Sequence, residues 1–375
     1  MMQKTRLIFL LSQNDIGGNT KFVVNLAKEF TSRGVECEIY VPYFTHYYYT
    51  KKFRTNKNLS DLVLWAKYVI FQLYTLIFVS KFDWRGNMFS IEKLQVKRYI
   101  FSPSKKVLTN SDFIITSAHW DINQMIELGI DLRRVIHVIH HLHSDQSSDL
   151  RIFLNKHLFS LVVSSAATGE KCRKIGIRGF TVCNLGVDIK IFHPNRKIRK
   201  DPGNLRVGFF YYNHPRKNPL LIQSVIKKLI DNYPKLGIYV FGNGFKISDR
   251  GILINKNLSE LELAEKLSSL DLFIYISRIE GFGLPPLEAM ACGVPVIASN
   301  VGAINKFVKH NENGLIIKDG ASSDEIVETI FETINDPIKL KKLSRNAFMA
   351  SQNWTWSKTC DSYIKLFEII RKSII

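Results

Sequence analysis

Cysteine is scarce and unpatterned in this 375-residue chain: Cys37, Cys172, Cys183, Cys292 and Cys360 are odd in number and contain no C-x-x-C pair. That excludes a disulfide scaffold and a thiolate zinc site, and suits a reducing cytosol. Long apolar runs are lacking too. The run Leu7 to Leu11 is five residues long and meets polar Ser12-Gln13-Asn14-Asp15, whereas a secretion leader needs a core of roughly 7–15 apolar residues. It reads as a buried parallel strand. The longest stretch, Leu62 to Val79, is interrupted by Lys67 and Gln72 and falls short of the about 20 apolar residues of a spanning helix. A core helix, or one lying in a membrane interface on Trp65, Tyr68 and Phe71, is expected instead. Repeats and low-complexity tracts are missing, which excludes solenoids and arrays.

Acidic residues are the scarce charge, 33 against 52 Lys plus Arg, for a net +19. Such a balance asks for an anionic partner: nucleic acid, a membrane surface or a phosphorylated ligand. Hydrophobic residues at 46% and charged residues at 23% are ordinary globular fractions, and the length suits two domains.

The chain alternates short apolar runs with helical patterns. Strand-like RLIFLL precedes a Gly-Gly turn and a helix from about Thr20 to Ser32; CEIYVPY follows as the next strand. Further strands are predicted at 112–116, 135–139, 161–164 and 180–183. The second half repeats the pattern: LRVGFFYY, a helix from Leu220, GIYVFG, a helix from Ser259, DLFIYIS, a helix from Leu287 and VPVIAS. Alternation of this kind predicts an α/β chain of two Rossmann-like domains with parallel sheets. The polar, charged segment His193 to Asn204 is the expected boundary, giving domains over 1–195 and 196–355.

The most informative string is Ile276 to Gly302, ISRIEGFGLPPLEAMACGVPVIASNVG. A strand ends in a Gly-Phe-Gly loop, and Pro285-Pro286 suit a helix start. Gly281 and Gly283 let the backbone approach a ligand, while a helix N-terminus offers N–H groups and a positive dipole end, together a diphosphate seat. Glu280 lies before the loop, and Glu288 after it is expected on the first helical turn, so that the two carboxylates flank the seat. Each can accept hydrogen bonds from a vicinal diol. The plainer alternatives are dipole complementation for Glu288 and a solvated loop carboxylate for Glu280.

This string resembles the nucleotide-sugar signature of the retaining GT-B glycosyltransferases, specifically glycosyltransferase family four, whose hallmark is two glutamates seven residues apart. The resemblance extends to NDIGGNTKFVVNL from Asn14, NLGVDIKIFHP from Asn184, HPRKN from His214 and Trp354-Thr355-Trp356. It implies a GT-B fold with the two sheets facing a central cleft, and a closing helix over 356–375 that returns to the first domain. Asn184 to Pro194 resembles the segment in which the first domain ends. The resemblance further implies that Lys217, with Arg216 as a second cation, contacts the donor diphosphate. Glu288 binds the ribose diol, and Glu280 holds the transferred sugar. Backbone N–H groups around Phe282, Gly283 and Leu284 complete the phosphate cradle, and Gly17 and Gly18 approach the donor from the first domain. A first-domain histidine is implied near the sugar; His119, His140 and His141 are the candidates, with His140 favoured because VIH ends a strand-like run. A zinc site in HVIHHLH is the weaker alternative, since no carboxylate follows at ligand spacing until Asp145.

No Asp-x-Asp occurs, so no cofactor and no metal are expected: Lys217, Arg216 and the helix N-terminus replace the ion. The resemblance implies same-face attack, with the leaving phosphate taking the acceptor's proton. Two departures stand out. Tyr211 and Tyr212 occupy positions where an arginine often precedes the phosphate lysine, and Lys306 stands near where the family usually has a glutamate after Gly-Gly.

Residues 1–195 hold 26 basic and 15 acidic residues, and Lys51 to Lys106 alone hold 12 and 3. Basic residues beside an aromatic-rich apolar segment suit an anionic lipid surface. The expectation is a hexosyltransferase peripheral to the inner face of the cytoplasmic membrane. It would move sugar from a UDP- or GDP-linked donor to a lipid-linked or cell-surface glycan, as in lipopolysaccharide or capsule synthesis. The Gly-Leu-Pro-Pro-Leu variant leans toward mannosyl or rhamnosyl transfer. The alternatives are an NAD-dependent oxidoreductase, disfavoured because Gly17-Gly18 lack a third glycine, and an inactive binding homologue. Nucleic acid is not expected, for want of a recognition motif.

Overall fold

The computed structural model describes residues 5–11, 18–42, 94–99, 103–142, 159–195, 205–245, 252–255 and 258–374. Leu62–Val79 and Gly17 lie outside them. The chain divides into two compact units. The first comprises Met1–Val163, Arg173–Thr181 and Cys360–Ile375; the second comprises Ser164–Cys172 and Val182–Thr359.

The first unit is built on β1 (Arg6–Leu10), β2 (Glu36–Pro42), β3 (Gln95–Tyr99), β4 (Phe113–Thr116), β5 (Val135–Ile139), β6 (Ser160–Val163) and β7 (Phe180–Val182). They form one sheet in the order β3-β2-β1-β4-β5-β6-β7. Every pair from β3 to β6 is parallel, with Leu7 opposite both Cys37 and Phe113. The apolar runs of β1, β4 and β5 are almost wholly buried, as a sheet covered on both faces requires. Connecting helices are α1 (Gly18–Ser32), α2 (Lys105–Thr109) and α3 (His119–Glu127); α4 (Ala166–Lys174), between β6 and β7 in sequence, belongs to the second unit as far as Cys172. In α1, Val23, Ala27 and Phe30 recur at helical spacing and are buried.

The second unit contains β8 (Arg206–Tyr212), α5 (Pro219–Asn232), β9 (Gly237–Asn243), β10 (Ile252–Asn255), α6 (Glu260–Ser268) and β11 (Leu272–Tyr275). There follow α7 (Leu284–Ala291), β12 (Val296–Ser299), α8 (Ile304–Phe307), β13 (Gly314–Ile317), α9 (Ser323–Ile334) and α10 (Pro337–Ser351). Its six-stranded parallel sheet runs β10-β9-β8-β11-β12-β13. Val207, Phe209 and Tyr211 alternate on β8 and pack with Ile222, Val225, Ile226 and Leu229 of α5 in one core. Capping boxes start two helices: Ser259 with Glu262 at α6 and Ser322 with Glu325 at α9, each satisfying two otherwise orphaned N–H groups.

The last helix, α11 (Trp356–Ile374), passes from the second unit into the first at Cys360. There Phe367 stacks on Phe113 at 4.3 Å between ring centroids and on Phe30 at 5.6 Å. Arg33 pairs with Asp361 at 2.6 Å, and Arg371 donates to Thr5 at 2.8 Å. After an earlier passage through the second unit at Ser164–Cys172, the chain passes into it again at Val182, ahead of the composition-based boundary at 195. The reason lies at Gly186: a Cβ there would stand 2.2 Å from the Thr355 backbone carbon, and Val187 donates to the Trp354 carbonyl at 2.9 Å. This backbone-on-backbone contact seats 184–194 in the second unit rather than at the end of the first.

Both strand orders reverse once, between β1 and β4 and between β8 and β11. In an open parallel sheet, a ligand crevice forms outside the carboxyl ends of the strands at such a reversal. The loops after β8 and β11 are therefore where the second unit can hold a ligand.

Candidate functional site

The loop after β8 makes a single 3-10 turn, Pro215–Lys217, whose N-terminus is capped by His214: its Nδ1 accepts from the Arg216 N–H at 3.2 Å. Asn218 ends the turn in the left-handed region at φ 52°, a conformation asparagine tolerates better than most residues. The Arg216 carbonyl accepts from Arg278 at 2.8 Å and Ile279 at 3.3 Å. Two main-chain bonds thus join the loop after β8 to the loop after β11 and bring Lys217 to Glu280.

Lys217 and Glu280 form an ion pair, and the ammonium also donates to the Tyr275 hydroxyl at 3.2 Å. The Lys217 side chain is 19% exposed and that of Glu280 12%, so this is no solvated loop carboxylate. The rings of Phe210 and Tyr275 face the ammonium at 5.1 and 5.4 Å, which adds cation–π attraction. Arg216 supplies a second cation; its Nε is buried and makes no hydrogen bond among the described residues.

The Gly-Phe-Gly loop is held from beneath. Phe282 is buried and packs with Phe307 at 5.7 Å and Trp354 at 5.8 Å, and its carbonyl accepts from Ala303 at 3.1 Å. The Gly281 carbonyl accepts from Ser165 Oγ at 2.7 Å. Gly283, at φ 106°, caps α7, and a Cβ there would lie 2.6 Å from Ile304 Cδ1. Gly302, at φ 62°, brings its backbone against Glu280, with a notional Cβ 2.9 Å from Glu280 Cβ.

Two expectations change here. The helix begins at Leu284, so Pro285 and Pro286 occupy its second and third positions and carry no N–H. The backbone N–H groups at this helix start are therefore those of Phe282, Gly283 and Leu284. Glu288 is not in the first turn, where no acidic residue stands. It lies one turn further in and is 4% exposed, beyond the reach of simple dipole complementation. Glu280 and Glu288 both act on the buried Tyr275 hydroxyl, whose pKa is pushed well above its ordinary value, first by burial and then by Glu280.

In the first unit, Gly18 opens α1 and is exposed, with nothing within 4 Å of a notional Cβ. His140 directly follows β5; its ring meets Phe22 edge-on at 4.8 Å, and burial pushes its pKa down to about 4. A neutral imidazole at pH 7 follows. His141 is exposed, and His119 opens α3. His137 of the same cluster is buried in β5, and among the described residues no three His, Cys, Asp or Glu side chains are grouped to hold a metal. Sequence reasoning missed Asp121 in α3: it is buried, accepts from Thr116 Oγ1 at 2.5 Å, and burial raises its carboxyl to about 7. It also missed Tyr275, Phe210 and Ser165, whose signal is tertiary. Among the described residues, two cavities of about 390 Å³ lie elsewhere, one at Arg173, Arg178 and Phe180, another at Asn300, His310 and Asp319. Among the described residues no helix is long and apolar enough to cross a membrane.

The chain is similar to known proteins in sequence over its second half and in fold over nearly its whole length. Residues 214–349 match the family described as glycosyl transferases group 1. The D-inositol 3-phosphate glycosyltransferase of Rhodococcus opacus is 33% identical over 208 residues, covering 49% of this chain and 46% of that protein. The lipopolysaccharide core biosynthesis mannosyltransferase LpsB of Rhizobium meliloti is 29% identical over 222 residues, 51% of this chain and 61% of its own length. The alignments with the curated relatives span about half the length of each protein. Among solved structures, HepE of Anabaena in complex with UDP and glucose superposes with a TM-score of 0.71 over 97% of this chain and 99% of that one, at 16% identity. The sucrose-phosphate synthase of Thermosynechococcus elongatus gives 0.70 at 15% identity, over 99% and 100%. The fold is that of the GT-B glycosyltransferases, as the sequence resemblance implied.

Proposed function

We propose that this chain, whose residues 214–349 belong to the group 1 glycosyl transferases, transfers a hexose from a UDP- or GDP-linked donor to a lipid-linked or glycan acceptor. The observation that carries the reading is Lys217 at the β8/β11 reversal, paired with Glu280 beside the Gly-Phe-Gly loop. An ammonium has three N–H groups; Glu280 and Tyr275 take two, leaving one for a phosphate oxygen. With Arg216 and the N–H groups of Phe282, Gly283 and Leu284, it would stabilise the charge that grows on the departing diphosphate. Such fixed donors do the work of a metal ion, so the reaction is proposed to be metal-independent.

Glu280 would hold sugar hydroxyls near the anomeric carbon, and Glu288 the ribose diol. Neutral His140 would serve as a hydrogen-bond partner rather than a cation. Retention is proposed through same-face attack, the leaving phosphate oxygen taking the acceptor's proton as the new glycosidic bond forms. HepE, with its bound UDP and glucose, and LpsB, with its lipopolysaccharide role, support donor and acceptor classes of this kind. The 12 basic against 3 acidic residues of Lys51 to Lys106 support a peripheral site at the inner face of the cytoplasmic membrane. Flotation with anionic vesicles tests that point: salt-sensitive binding lost on neutralising Lys51, Lys52, Arg54 and Lys57 is expected.

Calorimetric titration with UDP, GDP, their sugars and NAD, followed by product analysis with and without EDTA, tests the activity. Binding of one nucleoside diphosphate series and turnover that survives EDTA are expected. Binding of NAD alone would replace this reading with an oxidoreductase.

A further inference from the structure

The tyrosine beneath the ion pair has no counterpart among the residues assigned to the donor. Tyr275 is the last residue of β11, five positions before Glu280, and is 1% exposed. A tyrosine buried that deeply needs a partner for its hydroxyl. Here the hydroxyl accepts from Lys217 at 3.2 Å, and the Glu280 carboxylate, paired with the same ammonium, acts on it electrostatically. Its ring also forms part of the aromatic wall, 5.5 Å from Phe210, that the ammonium faces.

We infer that Tyr275 is a positioning residue whose hydroxyl, by accepting from Lys217 beside the Lys217–Glu280 pair, aims the ammonium at the donor diphosphate. The inference rests on the proposed use of Lys217 at that site. The physical reason is competition. Without the hydroxyl, Glu280 is the acceptor that remains to the ammonium among its described partners, and Lys217 turns toward the carboxylate. A diphosphate must then draw the cation away from a closer partner. With the hydroxyl in place, two of the three N–H groups have separate acceptors and the third is held in a fixed direction. A neutral acceptor suits this role, because it orients the ammonium without cancelling the charge that the phosphate needs. Phenylalanine preserves the ring, the burial and the cation–π contact, so Tyr275→Phe isolates the hydroxyl.

The test is a double-mutant cycle on the full chain, read by calorimetric binding of UDP and GDP to wild type, Tyr275→Phe, Lys217→Ala and the double variant. Tyr275→Phe is expected to weaken the nucleotide that binds by about tenfold, the scale of one hydrogen bond to a charged group. In the Lys217→Ala background the same change is expected to have less than about a twofold effect. Equal losses in both backgrounds, or no loss in the wild-type background, overturn the inference.

A second measurement needs no donor: trace labelling of lysine amines, read peptide by peptide by mass spectrometry. Lys217 is expected to react several-fold more slowly in Tyr275→Phe, because the ammonium drawn onto the carboxylate is less available to the reagent, while Lys228, paired with Asp324, keeps its rate; faster labelling of Lys217 overturns the inference. Unchanged Lys217 reactivity counts against the inference. Should wild type bind neither nucleotide, the proposed activity fails, and the labelling still decides what Tyr275 does.

Discussion

At the carboxyl ends of its strands, the first unit removes charge and the second unit pairs it. Burial after β5 pushes His140 down to about 4, and burial in the helix after β4 raises Asp121 to about 7. After β8 and β11, Lys217 and Glu280 are also mostly covered, yet they face each other and share Tyr275. Both arrangements obey one rule: a charge taken from water persists where a partner offsets the desolvation, and otherwise the neutral form is favoured. The second unit is thereby suited to meet an anion, and the first to present neutral hydrogen-bonding groups.

Lys217→Ala strikes the contrast hardest. Loss of the paired cation should lower nucleotide-sugar turnover by about 100- to 1,000-fold, the range for removing one transition-state donor, and should leave Glu280 buried without its ion pair. Activity near that of wild type would show that the charged end is structural only. Gly302→Ala comes next. At φ 62° an alanine pays about 1–2 kcal/mol for left-handed backbone, and its Cβ would press on Glu280. Denaturant unfolding should show that loss, and turnover should fall more than stability alone explains.

The neutral end is tested by pH. Because His140 titrates at about 4 when folded against an ordinary 6.5, the unfolded chain binds more protons between those values. Its contribution to stability is full above about 6.5 and lost as pH falls toward 4. His140→Gln should flatten the fall in melting temperature across that window. Asp121 has the opposite sign: its folded value of about 7 exceeds the ordinary 3.8, so its contribution is full below 3.8 and lost as pH rises through 7. Asp121→Asn should therefore raise the melting temperature above pH 7 by about 2–4 °C and have less effect at pH 5. Slopes of the reverse sign would mean that these groups are charged in the folded chain.

Much of this arrangement was legible before the structure. The strand at 135–139 was placed residue for residue, because a short β-branched apolar run flanked by polar residues has few other readings. Glu280 and the Gly-Phe-Gly loop are legible through their spacing and chemistry, and Lys217 through the family resemblance of HPRKN. Segments such as β13 were not read: four apolar residues, Gly314–Ile317, carry too little periodicity to separate a strand from a loop. Glu288 sits a turn deeper than the sequence pattern predicts, because Pro285 and Pro286 follow the helix's first residue, Leu284, rather than begin the helix.

By itself the sequence determined the α/β class and the parallel sheets, since these follow from local patterning, while Lys217 and Arg216 were legible only through the family resemblance of HPRKN. Tertiary structure decided the rest. The reversal of strand order between β8 and β11, with two bonds to the Arg216 carbonyl, brings Lys217 to Glu280 across 63 positions of sequence. Burial then sets which groups keep their charge: partnered Lys217 and Glu280, against desolvated His140 and Asp121. No pattern along the chain records how much water a side chain loses on folding, and that loss is what divides the two ends.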